Sequence, residues 1–166
     1  MLGILSWYWG LGGIVALLVA SVARLGAVSV DSIGYDWSVW HWLVLIVHTL
    51  FMAYAEGYRG FQLSFAPRVV ARAWHLRQNP TLVCALLAPL FCMGYFKTTR
   101  RRLISAYVLT LSIVMLIILF QSLGQPLRGL LDVGVVVGLG WGTASMLSFA
   151  LKALRTGSGA VSPELR

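Results

Sequence analysis

Five side chains in this 166-residue sequence combine a reactive type with an apolar setting: His48, Glu56 and Arg59 in the stretch VHTLFMAYAEGYRGFQ (47–62), and Arg128 and Asp132 just after GQP. An ionisable group inside an apolar run is expensive unless partnered, so each is a candidate binding residue. The chemistry open to this set is proton exchange, cation binding or pairing with an opposite charge. Counted from Trp37, His48 lies about 16 Å along a helix, near the middle of a bilayer, and Glu56 about 28 Å along, near its far edge. Glu56 and Arg59 are three apart and on one face of an α-helix, which reads as an ion pair at the membrane edge. Arg128 and Asp132 are four apart and read alike, with the aspartate suiting the dipole of a first turn. If every apolar run crosses, both pairs fall on one side and could form a single polar cluster.

Other chemistries lack their residues. His41 is on the face of His48 but about 10 Å away along the axis, so the two cannot share a metal ion. A second mid-depth histidine for haem ligation is missing, as are the E-x-x-H of di-iron sites, HExxH, GxSxG and the Walker loop. Cys84 and Cys92 lie about 12 Å apart on a helix, too far for a disulfide, and no CxxC occurs. We expect no metal, no cofactor and no catalytic set.

The elements that must hold these residues are helices in lipid. The sequence is 59% hydrophobic and 11% charged, with a mean hydropathy of +0.83, whereas a soluble domain has about a quarter of its residues charged. This composition predicts an all-α fold: a multi-pass integral membrane bundle of four to five transmembrane helices plus a short interfacial amphipathic helix. The apolar runs are 3–24, 37–57, 80–97, 103–123 and 129–151, within one domain over 1–155, and 156–166 is expected to be a flexible tail. MLGILSWYWG has no basic residue ahead of its apolar core, so the first run is expected to be an uncleaved span. Over 67–77, Pro67 suits a first helical turn. Arg68, Arg72 and His75 form one stripe, with Val69, Val70, Ala73 and Trp74 opposite. That pattern predicts a helix lying in the interface, with Arg68, Arg72 and Arg77 at lipid head groups.

Charge gives two topologies. With five crossings, five cationic side chains fall on one side and eight on the other. If instead 80–97, short and centred on Pro89, enters and returns, the basic loops and tail share the cytoplasmic side, leaving Arg24 and Arg128 outside with Asp31, Asp36 and Asp132. The net charge of +8 sits between apolar runs rather than on one face, which argues against nucleic acid.

Two small-residue stripes predict close helix packing, within the chain or between chains: Gly134, Gly138 and Gly142, and more weakly Gly12, Ala16 and Ala20. The expected partners are membrane lipids and other membrane subunits or a second copy. These features point first to a non-catalytic helix-docking or accessory component of a membrane complex. A proton, ion or small-solute transporter using His48 and the two charge pairs is the alternative, and an interfacial lipid-modifying enzyme the third.

Overall fold

The computed structural model describes residues 1–159 and 161, which form helices and turns without a strand. Helix α1 (Leu2–Asp31) leads through a short turn to α2 (Val39–Met52), a π-helical segment (Ala53–Phe65) and α3 (Ala66–Gln78). Two short helices follow, α4 (Leu82–Leu86) and α5 (Ala88–Met93), and then α6 (Arg100–Gln121) and α7 (Leu127–Thr156). Four stretches are long and apolar enough to cross a membrane: Leu2–Gly34, Val39–Gln78, Arg100–Gln121 and Leu127–Thr156. At 1.5 Å per residue, α1 and α7 are each about 45 Å long.

Packing at the two ends fixes the direction of each helix. At one end Gly3 abuts the backbone carbonyl of Arg77, and Gly159 approaches Ala71. At the other, Gly129 packs on Ser32, Gln125 Nε2 approaches the Val28 carbonyl at 3.5 Å, and the Trp37 indole donates to the Ser32 carbonyl. The first is a basic end, with Arg77, Lys97, Arg100, Arg101, Arg102, Lys152 and Arg155; the second carries Asp31 and Asp36. The core is densest towards the basic end, where Trp7, Leu11 and Ile14 of α1 meet Val69, Val70, Ala73 and Leu76 of α3, Phe91 of α5, and Met146 of α7.

The run 80–97 is not a fifth long helix. It breaks at Leu87, before Pro89 in the first turn of α5, because proline removes a donor and clashes with the preceding turn. Gly94, at φ 91°, then ends α5 in the left-handed conformation that glycine adopts without strain. The resulting hairpin lies on α1: Trp9 Nε1 donates to the Leu86 carbonyl at 3.1 Å, Gly10 faces Ala88 and Cys92, and Gly13 faces Pro89. Its entry beside Arg77 and its exit at Lys97 lie at the same end. Arg72, only 4% exposed, holds that exit: its guanidinium donates to the carbonyls of Phe91 (2.7 Å), Phe96 (2.9 Å) and Lys97 (3.3 Å) and lies over the Phe91 ring. Phe91 lies in the last turn of α5 and Phe96 and Lys97 in the loop beyond it, so one guanidinium ties the helix end to the segment that leads into α6.

Three sequence expectations change here. The interfacial helix of 67–77 is instead the continuation of the second long helix, buried round most of its circumference. Its alanines and valines are narrow enough for α1, α5 and α7 to close around it. No break occurs at Pro67 because the wide π turns end just before it and absorb the missing donor. Arg72 therefore faces backbone carbonyls rather than head groups, and Arg77 lies over the Trp74 ring at 4.7 Å, while Arg68 is half-buried. In α1 the contact face is Gly3, Ser6, Trp7, Gly10, Leu11 and Ile14, at helical spacing. Gly12, Ala16 and Ala20 are exposed, with nothing within 4 Å of a side chain at Gly12, so this stripe is not the face by which α1 packs against the other described helices of the chain. Helix α6 stands at the outside of the bundle with no buried residue.

Candidate functional site

The seam between the second long helix and α7 gathers most of the candidate residues. Along α7, Gly134, Gly138 and Gly142 are buried. A Cβ at Gly134 would lie 2.5 Å from His48 Cδ2 and 2.9 Å from its Nε2. One at Gly138 would lie 2.8 Å from Glu56 Oε2, and one at Gly142 would strike the Phe61 ring. In return, Gly57 leaves room for Trp141, whose side chain would be 3.0 Å from a Cβ there. Each glycine accepts a large side chain from the facing helix, and here that helix belongs to the same chain.

The π segment decides which side chains face this seam. With i→i+5 hydrogen bonding the turn is wider than in an α-helix, so residues three apart no longer share a face. Glu56, Gly57, Phe61 and Gln62 turn inward, whereas Tyr54, Tyr58, Arg59 and Leu63 turn outward. Tyr54 and Tyr58 stack at 6.0 Å. Glu56 and Arg59 form no ion pair, and Glu56 Oε2 is buried without a hydrogen-bond partner. The edge pair expected from α-helical spacing is thus split between two faces.

Depth changes as well. Glu56 is level with Gly138, about 16 Å from the start of α7 and well inside its 45 Å length. The second long helix runs on to Gln78, so 28 Å from Trp37 does not reach its far end. Arg59 lies between the levels of Gly138 and Gly142, close to the middle of the bundle.

The other candidates lie nearer the acidic end. His48 Nε2 donates to the Leu131 carbonyl at 3.1 Å, which fixes its tautomer. Asp132 is 3% exposed, with Arg128 Nε at 4.0 Å from its Oδ2. That is the outer limit of an ion pair, and Oδ2 has no hydrogen bond. Asp132 is about 9 Å along α7 from Gly138, so the two acidic groups do not merge into one cluster. Three further residues join the seam. Thr49 Oγ1 is buried and unpartnered; its place two α-helical turns before Glu56 was the legible signal. Gln62 Oε1 accepts from Trp141 Nε1 at 2.7 Å, beside an open groove of ≈ 600 Å³ lined also by Ser145, Ser148, Phe149 and Lys152. Among the described residues no three His, Cys, Asp or Glu side chains come together as metal ligands.

Comparison with protein-family models, curated proteins and solved structures gives no match to this chain.

Proposed function

We propose that this protein is a non-catalytic, multi-pass membrane component that docks a transmembrane helix of another protein against the outward face of the π segment. The observation that carries the reading is Arg59, exposed near the middle of the bundle beside the stacked Tyr54 and Tyr58. With the four long helices in a bilayer, Arg59 lies deep in the hydrocarbon. A cation there costs about 2.5–3.5 kcal/mol on insertion scales, and a side chain reaching about 6 Å does not snorkel across a half-thickness of about 15 Å. A partner helix carrying a carboxylate at the same depth removes that cost and covers the two phenol rings. The basic end, with the hairpin and both ends of the described chain, faces the cytoplasm under the positive-inside rule.

Photo-crosslinking in native membranes tests this reading. A photoreactive residue at position 58 is expected to give one discrete protein adduct that is absent when the probe is at Leu147, an exposed residue of α7. Arg59→Leu should abolish the adduct. Lipid adducts alone from both positions would refute the docking reading.

A further inference from the structure

Among the described residues, four buried side-chain polar atoms have no hydrogen-bond partner: Thr49 Oγ1, Glu56 Oε2, Trp74 Nε1 and Asp132 Oδ2. Two of the four, Thr49 Oγ1 and Glu56 Oε2, belong to the second long helix, and Glu56 Oε2 faces Gly138 across the seam with α7, whereas Asp132 is three residues from Gly129 and shares the face of α7 that meets α1. A buried polar group left unsatisfied costs about 1–3 kcal/mol, more where lipid excludes water. Such groups persist where they have a use, and membrane carboxyls of this kind mark proton relays and ion pathways.

We propose that this seam carries protons, with Glu56 as the exchanging carboxyl. Towards the basic end, Glu56 is followed by Gln62 and then by the groove whose Ser145, Ser148 and Lys152 lead outward. Towards the acidic end come Thr49 and His48, the latter on the Leu131 carbonyl of α7, with the Arg128–Asp132 pair beyond them on the adjoining face of α7. The step is simple in its balance: a hydronium gives its proton to a Glu56 carboxylate oxygen and leaves as water, and the carboxylic acid returns the proton to another water. Nothing is oxidised or reduced.

The surroundings favour a proton over a metal cation. Around Glu56 the seam offers Gly138 and hydrocarbon, and no assembly of carboxylates and imidazoles gathers to coordinate an ion. His48 is held by the Leu131 carbonyl, which makes it a fixed wall rather than the carrier. The π turn keeps Arg59 on the opposite face, so no guanidinium neutralises Glu56. The charged groups nearest the seam are therefore His48 on α2, facing Gly134, and Lys152 on α7 at the groove, with Arg128 and Asp132 on the neighbouring face of α7 and Arg68 the first charge on α3. Gly138 completes the arrangement, because any side chain there would occupy the place of the carboxyl oxygen.

Two measurements on the purified full chain in phosphatidylcholine vesicles test the proposal. Infrared difference spectra between acidic and alkaline buffer should show a carboxylic-acid C=O band that shifts in D₂O, survives Asp132→Asn and disappears in Glu56→Gln. A pH step across the vesicle wall, read by a trapped dye, should decay about tenfold faster with the wild type than with Glu56→Gln, and Thr49→Val should fall between. Leu111→Ala, on the exposed surface of α6, should leave both readings unchanged, and both are made on the purified chain with no partner present, which separates this proposal from the docking reading. A band that ignores pH and D₂O, or equal decay for wild type and Glu56→Gln, overturns it. Circular dichroism of Glu56→Gln shows whether that variant remains folded. If it does not, the band in the wild type and the rate in Thr49→Val decide.

Discussion

Gly134→Ala gives a sharp prediction because one added methyl group has a defined neighbour. The new Cβ would sit 2.5 Å from His48 Cδ2 and 3.2 Å from Met52 Cγ, inside any normal contact distance. The imidazole must swing away, and it then loses its 3.1 Å bond to the Leu131 carbonyl. Overpacking costs about 1–3 kcal/mol and the lost hydrogen bond about 1 kcal/mol. The better helix preference of alanine over glycine offsets about 1 kcal/mol, so the net loss is about 1–3 kcal/mol. Gly140, six residues along the same helix, is the control: it is exposed, with nothing within 4 Å of an added Cβ. Gly140→Ala should therefore gain up to about 1 kcal/mol from helix preference alone. Thermal unfolding in detergent, followed by circular dichroism, should separate the two variants by at least about 4 °C, at roughly 2–4 °C per kcal/mol for a chain of this size. Equal midpoints, or a more stable Gly134→Ala, would refute the packing of this seam.

Other expectations follow from the same geometry. Arg72→Ala removes donors from three carbonyls at the exit of the hairpin and should cost at least about 3 kcal/mol, since bonds from a charged donor are worth about 1.5–3 kcal/mol each. Thiol labelling of the buried Cys84 and Cys92 should then accelerate, and Arg72→Lys, lacking the planar fork, should restore little. Gly138→Leu should destabilise the fold more than Val136→Leu, because the former meets Glu56 and the latter is off the contact line. Gly10→Leu should be far worse than Gly12→Leu, which opens into free space. Reporters fused after Arg77 and after Arg102 should lie on the same side of the membrane; opposite sides would mean that 80–97 crosses.

The helical, apolar character of the fold was legible because it rests on composition and on runs long enough to cross a bilayer. Four of those runs are long helices, and the proline in the middle of the fifth already signalled a break. The second helix was harder to read. FQLSFAPRVVARAWHLRQ loses hydrophobicity and contains a proline, both ordinary signs of an end, yet the helix continues because π turns accommodate Pro67 and neighbouring helices bury the small side chains of α3. A change of helical period leaves no mark in hydropathy, and so α-helical spacing puts Glu56 and Arg59 on one face where the π turns separate them. The two glycine stripes differ for a related reason. Small residues at steps of four mark a face that can approach another helix, but the large side chains opposite decide whether it does. Gly134, Gly138 and Gly142 have His48, Glu56 and Phe61 facing them, while the stripe of Gly12, Ala16 and Ala20 is exposed, with no such partner among the described residues of this chain.

Both functional proposals rest on the π segment turning Glu56 inward and Arg59 outward, and a pair of engineered cysteines measures that directly. A Cβ at Gly138 would be 3.3 Å from the Cβ of Glu56, close to the separation of about 3.5–4.5 Å found across a disulfide. In membranes, with Cys84 and Cys92 replaced by serine, mild oxidation should link Glu56→Cys to Gly138→Cys and leave Arg59→Cys with Gly138→Cys unlinked. Linkage of both pairs would contradict the account by restoring the shared face of an ordinary α-helix, and linkage of neither would contradict the seam itself.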